Sequence, residues 1–441
     1  MKEAAAEETA LDLVNRLLRG ETTAVEAMRG CLRRIEAREK EIRAFAYLAS
    51  EAAIAAAEKA DAAKASGRAL GPLHGLPIAV KDIIDTADMP TEFGGEIFAG
   101  RRPARDATIV SRLRSAGAIV VGKAVTSQYA LFVPGPVRNP HNLAHTPGGS
   151  SSGSAAAVAA GFVPVALGTQ TNGSIIRPAS YCGVVGFKPS LGLLPRTGVL
   201  RHSPLLDHPG VFARTVADAA MIVDAIGGED AEDAFSRPLP GSLVAAAQAE
   251  GQPPRLAFTL GPFEDRADPA TREAFAAFLT SLPVKAEEIT LGPEFAKAEA
   301  AMSDLMRAGV AESLGPDIDR AEDRVPERVL QIVAEGRALS AVRLMEAWTR
   351  RDALRAAAAG LIAPYDAVLT FASSGPAPLA SEGTGDPIFA TLWSLIGAPA
   401  MSLPLMRAPN GLPLGVQAVA APGRDLDLTR AAAWLMRPDA R

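Results

Sequence analysis

The sequence predicts an α/β protein with a largely parallel sheet. Two observations carry that prediction. In residues 71–203, short apolar runs bounded by Gly or Pro on at least one side alternate with helical patterns, which is the order expected of strands joined by crossover helices. The composition, 48% apolar and 22% charged, can bury a large core and is unlike a disordered chain. The length of 441 residues allows about three domains at roughly 150 residues each, but large sheets often run longer as one unit.

Residues 11–64 read as helical. Leu11, Val14, Leu17 and Leu18 repeat at helical spacing, and Gly20 stops that segment. Thr23 with Glu26 three residues on forms a capping box for the next helix, and the alanine-rich residues 51–64 suit another. In the next region residues 78–80, 118–121, 163–167 and 184–187 read as buried strands. Helical patterns lie between them at residues 108–115 and 154–160. A helix follows Thr215, and residues 227–254, polar and holding four prolines, read as a surface excursion. Strands are expected at 255–260, 367–371, 400–403 and 413–419. Long helices are expected at 269–282, 294–309 and 338–361, and a last helix follows Asp425. The organisation expected is one unit over residues 1–441: a helical cap (1–66), a catalytic core (71–215), the excursion (227–254), and the rest of the sheet with pocket loops (255–441).

Charge and composition narrow the function. With 45 Lys and Arg against 50 Asp and Glu the net charge is −5, which argues against a nucleic-acid partner. Cys31 and Cys182 build neither a disulfide framework nor a metal site, so a reducing compartment, the cytoplasm, is expected. The acidic start (Glu3, Glu7, Glu8) lacks the apolar core of a signal peptide. The longest apolar stretch, residues 155–168, is too short for a membrane span.

Chemistry concentrates in a few loops. Gly75-Leu-Pro-Ile-Ala-Val-Lys81-Asp82 ends an apolar strand on a lysine, costly unless that lysine is neutral, snorkels to water or pairs with Asp82. Thr146-Pro-Gly-Gly-Ser150-Ser-Ser-Gly-Ser154 and Gly168-Thr-Gln-Thr-Asn-Gly-Ser174-Ile-Ile-Arg177-Pro178 place serines in glycine-rich turns. Three chemistries compete for them. A phosphate loop lacks its lysine, because Ser154 stands where it should be. Gly149-Ser-Ser151-Ser-Gly153 fits a nucleophile elbow, but that enzyme needs Asp/Glu and then His downstream, and the last histidine is His208, next to Asp207. The third uses a lysine, neutral through burial, as base to a serine. Cys182-Gly-Val-Val-Gly-Phe-Lys188-Pro189 reads as a structural strand.

With these motifs the sequence resembles the amidase signature family over almost its whole length. The resemblance runs from Arg19-Gly-Glu-Thr-Thr through the lysine and serine loops, Ala213-Arg-Thr-Val-Ala-Asp218 and Gly397-Ala-Pro-Ala-Met-Ser-Leu-Pro404 to Gly411-Leu-Pro-Leu-Gly-Val-Gln417. It implies a single α/β/α unit around a large mixed sheet and no metal or organic cofactor. It implies Lys81 as base, Ser150 as bridging serine behind a cis Gly149–Ser150 bond, and Ser174 as nucleophile. Thr171, Asn172 and Gly173 would supply the oxyanion hole. The expected activity is hydrolysis of a carboxylic amide C–N bond through an acyl-enzyme on Ser174, on a small amide that can bear an acid group.

Three positions depart from the family pattern: Gln170 replaces an aspartate, Asn172 replaces a glycine, and Arg177 sits three residues past the nucleophile instead of two. Gln128-Tyr129 also replaces the usual Glu-Phe. Arg177 and Gln128 are candidate substrate contacts. Arg177 would either hold a substrate carboxylate or fix the loop by a local bond. The partner expected is a small-molecule amide, with a homo-oligomer allowed. Two alternatives stand beside this reading: the glutamine-amidase subunit of a tRNA-dependent amidotransferase, and a silent binding protein on the same fold.

Overall fold

The computed structural model describes residues 8–437. Glu3 and Glu7 of the acidic start lie outside the described residues. Eleven strands form one sheet: β1 (Phe45–Leu48), β2 (Pro77–Lys81), β3 (Ile119–Ala124), β4 (Val165–Gln170), β5 (Val185–Lys188), β6 (His208–Ala213), β7 (Leu256–Phe258), β8 (Glu287–Glu288), β9 (Ala367–Phe371), β10 (Ala400–Arg407) and β11 (Pro413–Val419). Their spatial order is β1-β3-β2-β4-β6-β5-β10-β11-β9-β7-β8.

The sheet is mixed, as the resemblance implies, and not largely parallel. β2 runs parallel to β3 and β4, and β7 runs parallel to β8 and β9. Every other neighbouring pair is antiparallel. The reversal comes from β6, which inserts between β4 and β5 antiparallel to both. Helices cover the sheet, and their apolar faces merge with its two sides into large buried clusters. The capping box at Thr23 and Glu26 is present and opens the helix Ala24–Ile42. No helix among the described residues is long and apolar enough to cross a membrane.

The arrangement that matters for function sits where β2 and β4 end side by side. The two strands are parallel and in register from Ile78↔Val165 to Val80↔Leu167, so Lys81 and the segment after Leu167 emerge at the same edge. Clefts outside the carboxyl ends of parallel strands are where α/β sheets commonly place their chemistry. Two short helices follow the serine loops, Ser152–Ala159 and Ile176–Cys182, both buried. Small side chains let the first approach closely. A Cβ on Gly153 would stand 2.3 Å from the Ala44 carbonyl oxygen and 2.4 Å from the Val125 nitrogen, so only glycine fits there.

Candidate active site

Lys81 is fully buried. Its Nζ lies 2.7 Å from Ser150 Oγ and 2.8 Å from Thr169 Oγ1, and it makes no ion pair among the described residues. Asp82, a candidate partner by sequence, instead faces Lys123, 3.6 Å away. Strand alternation explains the choice: Val80 is in register with Lys123 on β3, so Lys81 and Lys123 point to opposite faces of the sheet. Burial pushes the Lys81 amine well below the usual lysine range, opposed only by the negative charge of Asp207.

The run of four serines resolves by hydrogen bonding. Ser151 Oγ donates to the Thr169 carbonyl (3.1 Å), Ser152 Oγ to the Val125 carbonyl (3.3 Å) and Ser154 Oγ to the Leu167 carbonyl (2.8 Å). These three tie the helix to the sheet. Ser150 alone faces the lysine, and the Gly149–Ser150 peptide is cis. Ser151 is fully buried and bonded to β4, so the elbow reading of that residue has no exposed nucleophile behind it. Lys188 donates to the carbonyls of Pro189 and Ala398, and burial lowers it to about 7. His202 and His208 are buried with ring nitrogens on the carbonyls of Tyr129 and Leu206, and burial lowers both.

Ser174 is half-buried, at the turn after β4. Its hydroxyl makes no hydrogen bond among the described residues. The turn itself is held from three directions. Gln170 Oε1 accepts the backbone N–H of Ile175 (2.7 Å) and Ile176 (3.0 Å), and its Nε2 donates to Ser394 Oγ (2.8 Å). Thr171 Oγ1 donates to Asp207 Oδ1 at 2.7 Å. The Asn172 side chain accepts from Thr391 Oγ1 (2.8 Å) and its carbonyl accepts from Ser394 Oγ (2.5 Å). No protein acceptor among the described residues takes the N–H of Thr171, Asn172, Gly173 or Ser174. Gly173 is packed closely by the loop opposite: a Cβ there would meet Pro387 at 2.8 Å.

Arg177 is buried, and its Nη2 donates to the Gly149 carbonyl (2.7 Å), with Thr384 Oγ1 at 3.4 Å. Its Nε and Nη1 have no hydrogen-bond partner among the described residues. Gln128 is joined to the site through its neighbour: Ser127 N–H donates to the Ser150 carbonyl at 3.0 Å, while Gln128 Oε1 is buried without a partner. A cavity of about 180 Å³ reaches the turn at Asn172 and is bordered by Phe132, Arg307, Arg328, Asp386 and Thr391. Asp386 pairs with Arg266 and Arg307 with Glu335, whereas Arg328 has no carboxylate partner among the described residues. Arg328 lies over the Phe132 ring, 5.8 Å from its centroid. Sequence reading missed Arg328, Asp207 and Thr169, because all three enter the site only through tertiary folding. No group of three His, Cys, Asp or Glu that could hold a metal ion occurs among the described residues.

The mixed sheet with its flanking helices is shared with known proteins. The Amidase family model matches residues 26–428, and the chain belongs to that family. It is 34% identical over 484 residues to the A subunit of the glutamyl-tRNA(Gln) amidotransferase of Salinispora arenicola, covering 97% of this chain and 96% of that relative. Against the same-named protein of Chloroflexus aggregans the identity is 47% over 230 residues, and the match spans about half of that relative, 47%. The native peptide amidase of Stenotrophomonas maltophilia superposes with a TM-score of 0.84 at 30% identity, covering 99% of this chain and 98% of that one.

Proposed function

We propose that this chain hydrolyses a carboxylic amide C–N bond through an acyl-enzyme on Ser174. The observation that carries the reading is Lys81: a fully buried lysine without an ion pair, 2.7 Å from a serine hydroxyl. A neutral amine there can act as a base. Ser174 gives its proton to Ser150 Oγ as Ser150 gives its own to Lys81 Nζ, since one hydroxyl can donate and accept together. The Ser174 oxygen attacks the amide carbon, and its oxyanion is met by the N–H groups of the turn at Asn172, Gly173 and Ser174. Such donors are worth about 3 kcal/mol each. Lys81 returns the proton through Ser150 to the leaving nitrogen, the C–N bond breaks, and water then cleaves the ester by the same route.

The charges around the cavity at Asn172 support a substrate class: Glu299, Asp386 and Arg307 border it and are each paired. Arg328 faces it without a carboxylate partner among the described residues, which favours a small amide bearing an acid group. The Arg177 geometry supports the local role, a bond to the Gly149 carbonyl, over contact with a substrate carboxylate. A screen of small amides, acid-bearing amides, ureides and aryl amides, read by ammonia or amine release from wild type and Ser174→Ala, tests the proposal. Turnover by wild type alone supports it; equal release by both proteins would sink it.

A second reading has its own support. The full-length resemblance to the amidotransferase relative favours a glutaminase working with other subunits. Gln170, Asn172 and Arg177, which depart from the family pattern, favour a free-standing amidase. Ammonia release from glutamine that needs a co-purifying subunit would select the second reading.

A further inference from the structure

The loop between β5 and β6 ends in a carboxylate that touches no part of the lysine–serine relay and yet joins it from behind. Asp207 is buried. Its Oδ2 accepts the backbone N–H groups of His202 and Ser203, both at 2.8 Å, which fixes the carboxylate rigidly on its own loop. Its Oδ1 accepts the Thr171 hydroxyl at 2.7 Å. Thr171 opens the turn whose next three N–H groups have no protein acceptor among the described residues. Of the three ties that hold this turn, the one to Asp207 alone is ionic. Asp207 also borders, with Thr169, Thr171 and His202, a cavity of about 220 Å³.

We infer that Asp207 is a positioning residue for amide hydrolysis, holding the oxyanion turn through Thr171 and placing a negative charge on the cavity that it borders together with Thr169, the hydrogen-bond partner of Lys81. The inference rests on the reading of Ser174 as nucleophile and goes beyond it. The physical case has two parts. A charge-assisted hydrogen bond to a carboxylate anchored by two backbone donors holds a turn more firmly than a bond between neutral groups. And when Ser174 loses its proton, Lys81 becomes a cation in a dry site, where a nearby negative charge favours that state.

The other charged groups near Lys81 do not supply this. Asp82 is matched by Lys123, whose side chain points to the opposite sheet face. His202, from the same loop as Asp207, is lowered by burial, which disfavours its charged form. Among the influences on the Lys81 amine, Asp207 is the one that raises it against the effect of burial.

The two parts make separable predictions. Asp207→Asn removes the charge and keeps one acceptor, losing either the bond from Thr171 or the shared acceptor of the His202 and Ser203 N–H groups. Thr171→Val keeps the charge and removes the tie. The readout is the rate at which a fluorophosphonate inactivates the full chain, followed by intact mass from pH 5 to 10, which needs no knowledge of the natural amide. Asp207→Asn should lower the plateau rate by about tenfold and move the acid limb to lower pH by roughly 0.5–1.5 units, because loss of a negative charge makes the lysine easier to deprotonate. Thr171→Val should lower the rate by about tenfold with the limb in place, as expected when one positioned donor set is loosened. Thermal melts of both variants check folding, and Thr171→Val carries the test of the tie if Asp207→Asn does not fold. A wild type that is labelled, beside variants with an unmoved limb and rates within about twofold, overturns this inference alone. A wild type that is never labelled overturns the Ser174 reading and this one with it.

Discussion

Arg177 Nη2 donates to the Gly149 carbonyl at 2.7 Å, so a buried guanidinium holds the cis peptide that presents Ser150 to Lys81. Arg328 borders the cavity beside Asn172 from a different helix, Glu327–Arg337. The two arginines should therefore separate in kinetics. Arg177→Lys loses the planar donor at a buried site and should lower kcat on acid-bearing and neutral amides alike. Arg328→Gln should raise KM for an acid-bearing amide by roughly tenfold and leave a neutral amide of similar size unchanged, the loss of about one charge-assisted hydrogen bond. Parallel kinetics on a half-amide of a small diacid and on its methyl ester check both. If Arg177→Lys alone discriminates between the two substrates, the roles are reversed.

Burial lowers the Lys81 amine well below the usual lysine range, so between its folded pKa and the ordinary value of about 10.4 the unfolded state binds more protons, and stability rises with pH across that window. Lys81→Met removes the group and that slope. The variant should be inactive yet melt higher than wild type, with the widest gap at low pH and a closing gap as pH approaches about 10. Melting curves from pH 5 to 10 measure it. A variant less stable at every pH would mean that the bonds to Ser150 and Thr169 outweigh the desolvation of the amine.

The same neutral amine sets the pH dependence of activity. Below its folded pKa Lys81 is protonated and cannot accept from Ser150, so kcat/KM should climb with pH through one acid limb. His208 is buried, lowered and bonded to the Leu206 carbonyl, outside the relay. His208→Gln should leave the limb where it is, and a limb that vanishes in this variant would make an imidazole the base.

Gln170 stands where the family carries an aspartate, and its amide does a double task. The oxygen accepts the N–H groups of Ile175 and Ile176, and the nitrogen donates to Ser394, which in turn holds the Asn172 carbonyl. Gln170→Ala leaves two buried N–H groups unpaired and should cost about 2–4 kcal/mol in chemical denaturation, with activity falling as the turn loosens. Gln170→Glu keeps an acceptor for both N–H groups and loses only the donor to Ser394 Oγ, whose own proton goes to the Asn172 carbonyl. It should retain most of the stability, and a Gln170→Glu as unstable as Gln170→Ala would contradict this account of the turn.

Much of this arrangement is legible in the amino-acid sequence, and the rest is hidden for specific reasons. Strands β9 and β11 fall where their apolar runs place them, and the helix Thr108–Ser115 has its expected bounds. β1 is absent from the sequence reading because four residues between two long helices carry too little alternation to stand out. β6 is absent because Pro209 and Gly210 read as a turn. Pro209 is tolerated there because β5 pairs only with Val211–Ala213 and has ended before it. Missing β6 also produced the expectation of a largely parallel sheet. The helix Glu327–Arg337, and Arg328 with it, lies in a stretch without a distinctive motif. Ser150 could not be told from Ser151, Ser152 and Ser154 by composition; their backbone acceptors on β4 and beyond β3 distinguish them, and those are long-range contacts.

The most direct measurement is the site of a covalent adduct. Wild-type protein treated with a fluorophosphonate, digested and mapped by tandem mass spectrometry should carry the label on Ser174 and nowhere else. Lys81→Met should be labelled more slowly by roughly 10³-fold, because the nucleophile has lost its base. A label on Ser150 or Ser151, or labelling that persists at the wild-type rate in Ser174→Ala, would contradict the account.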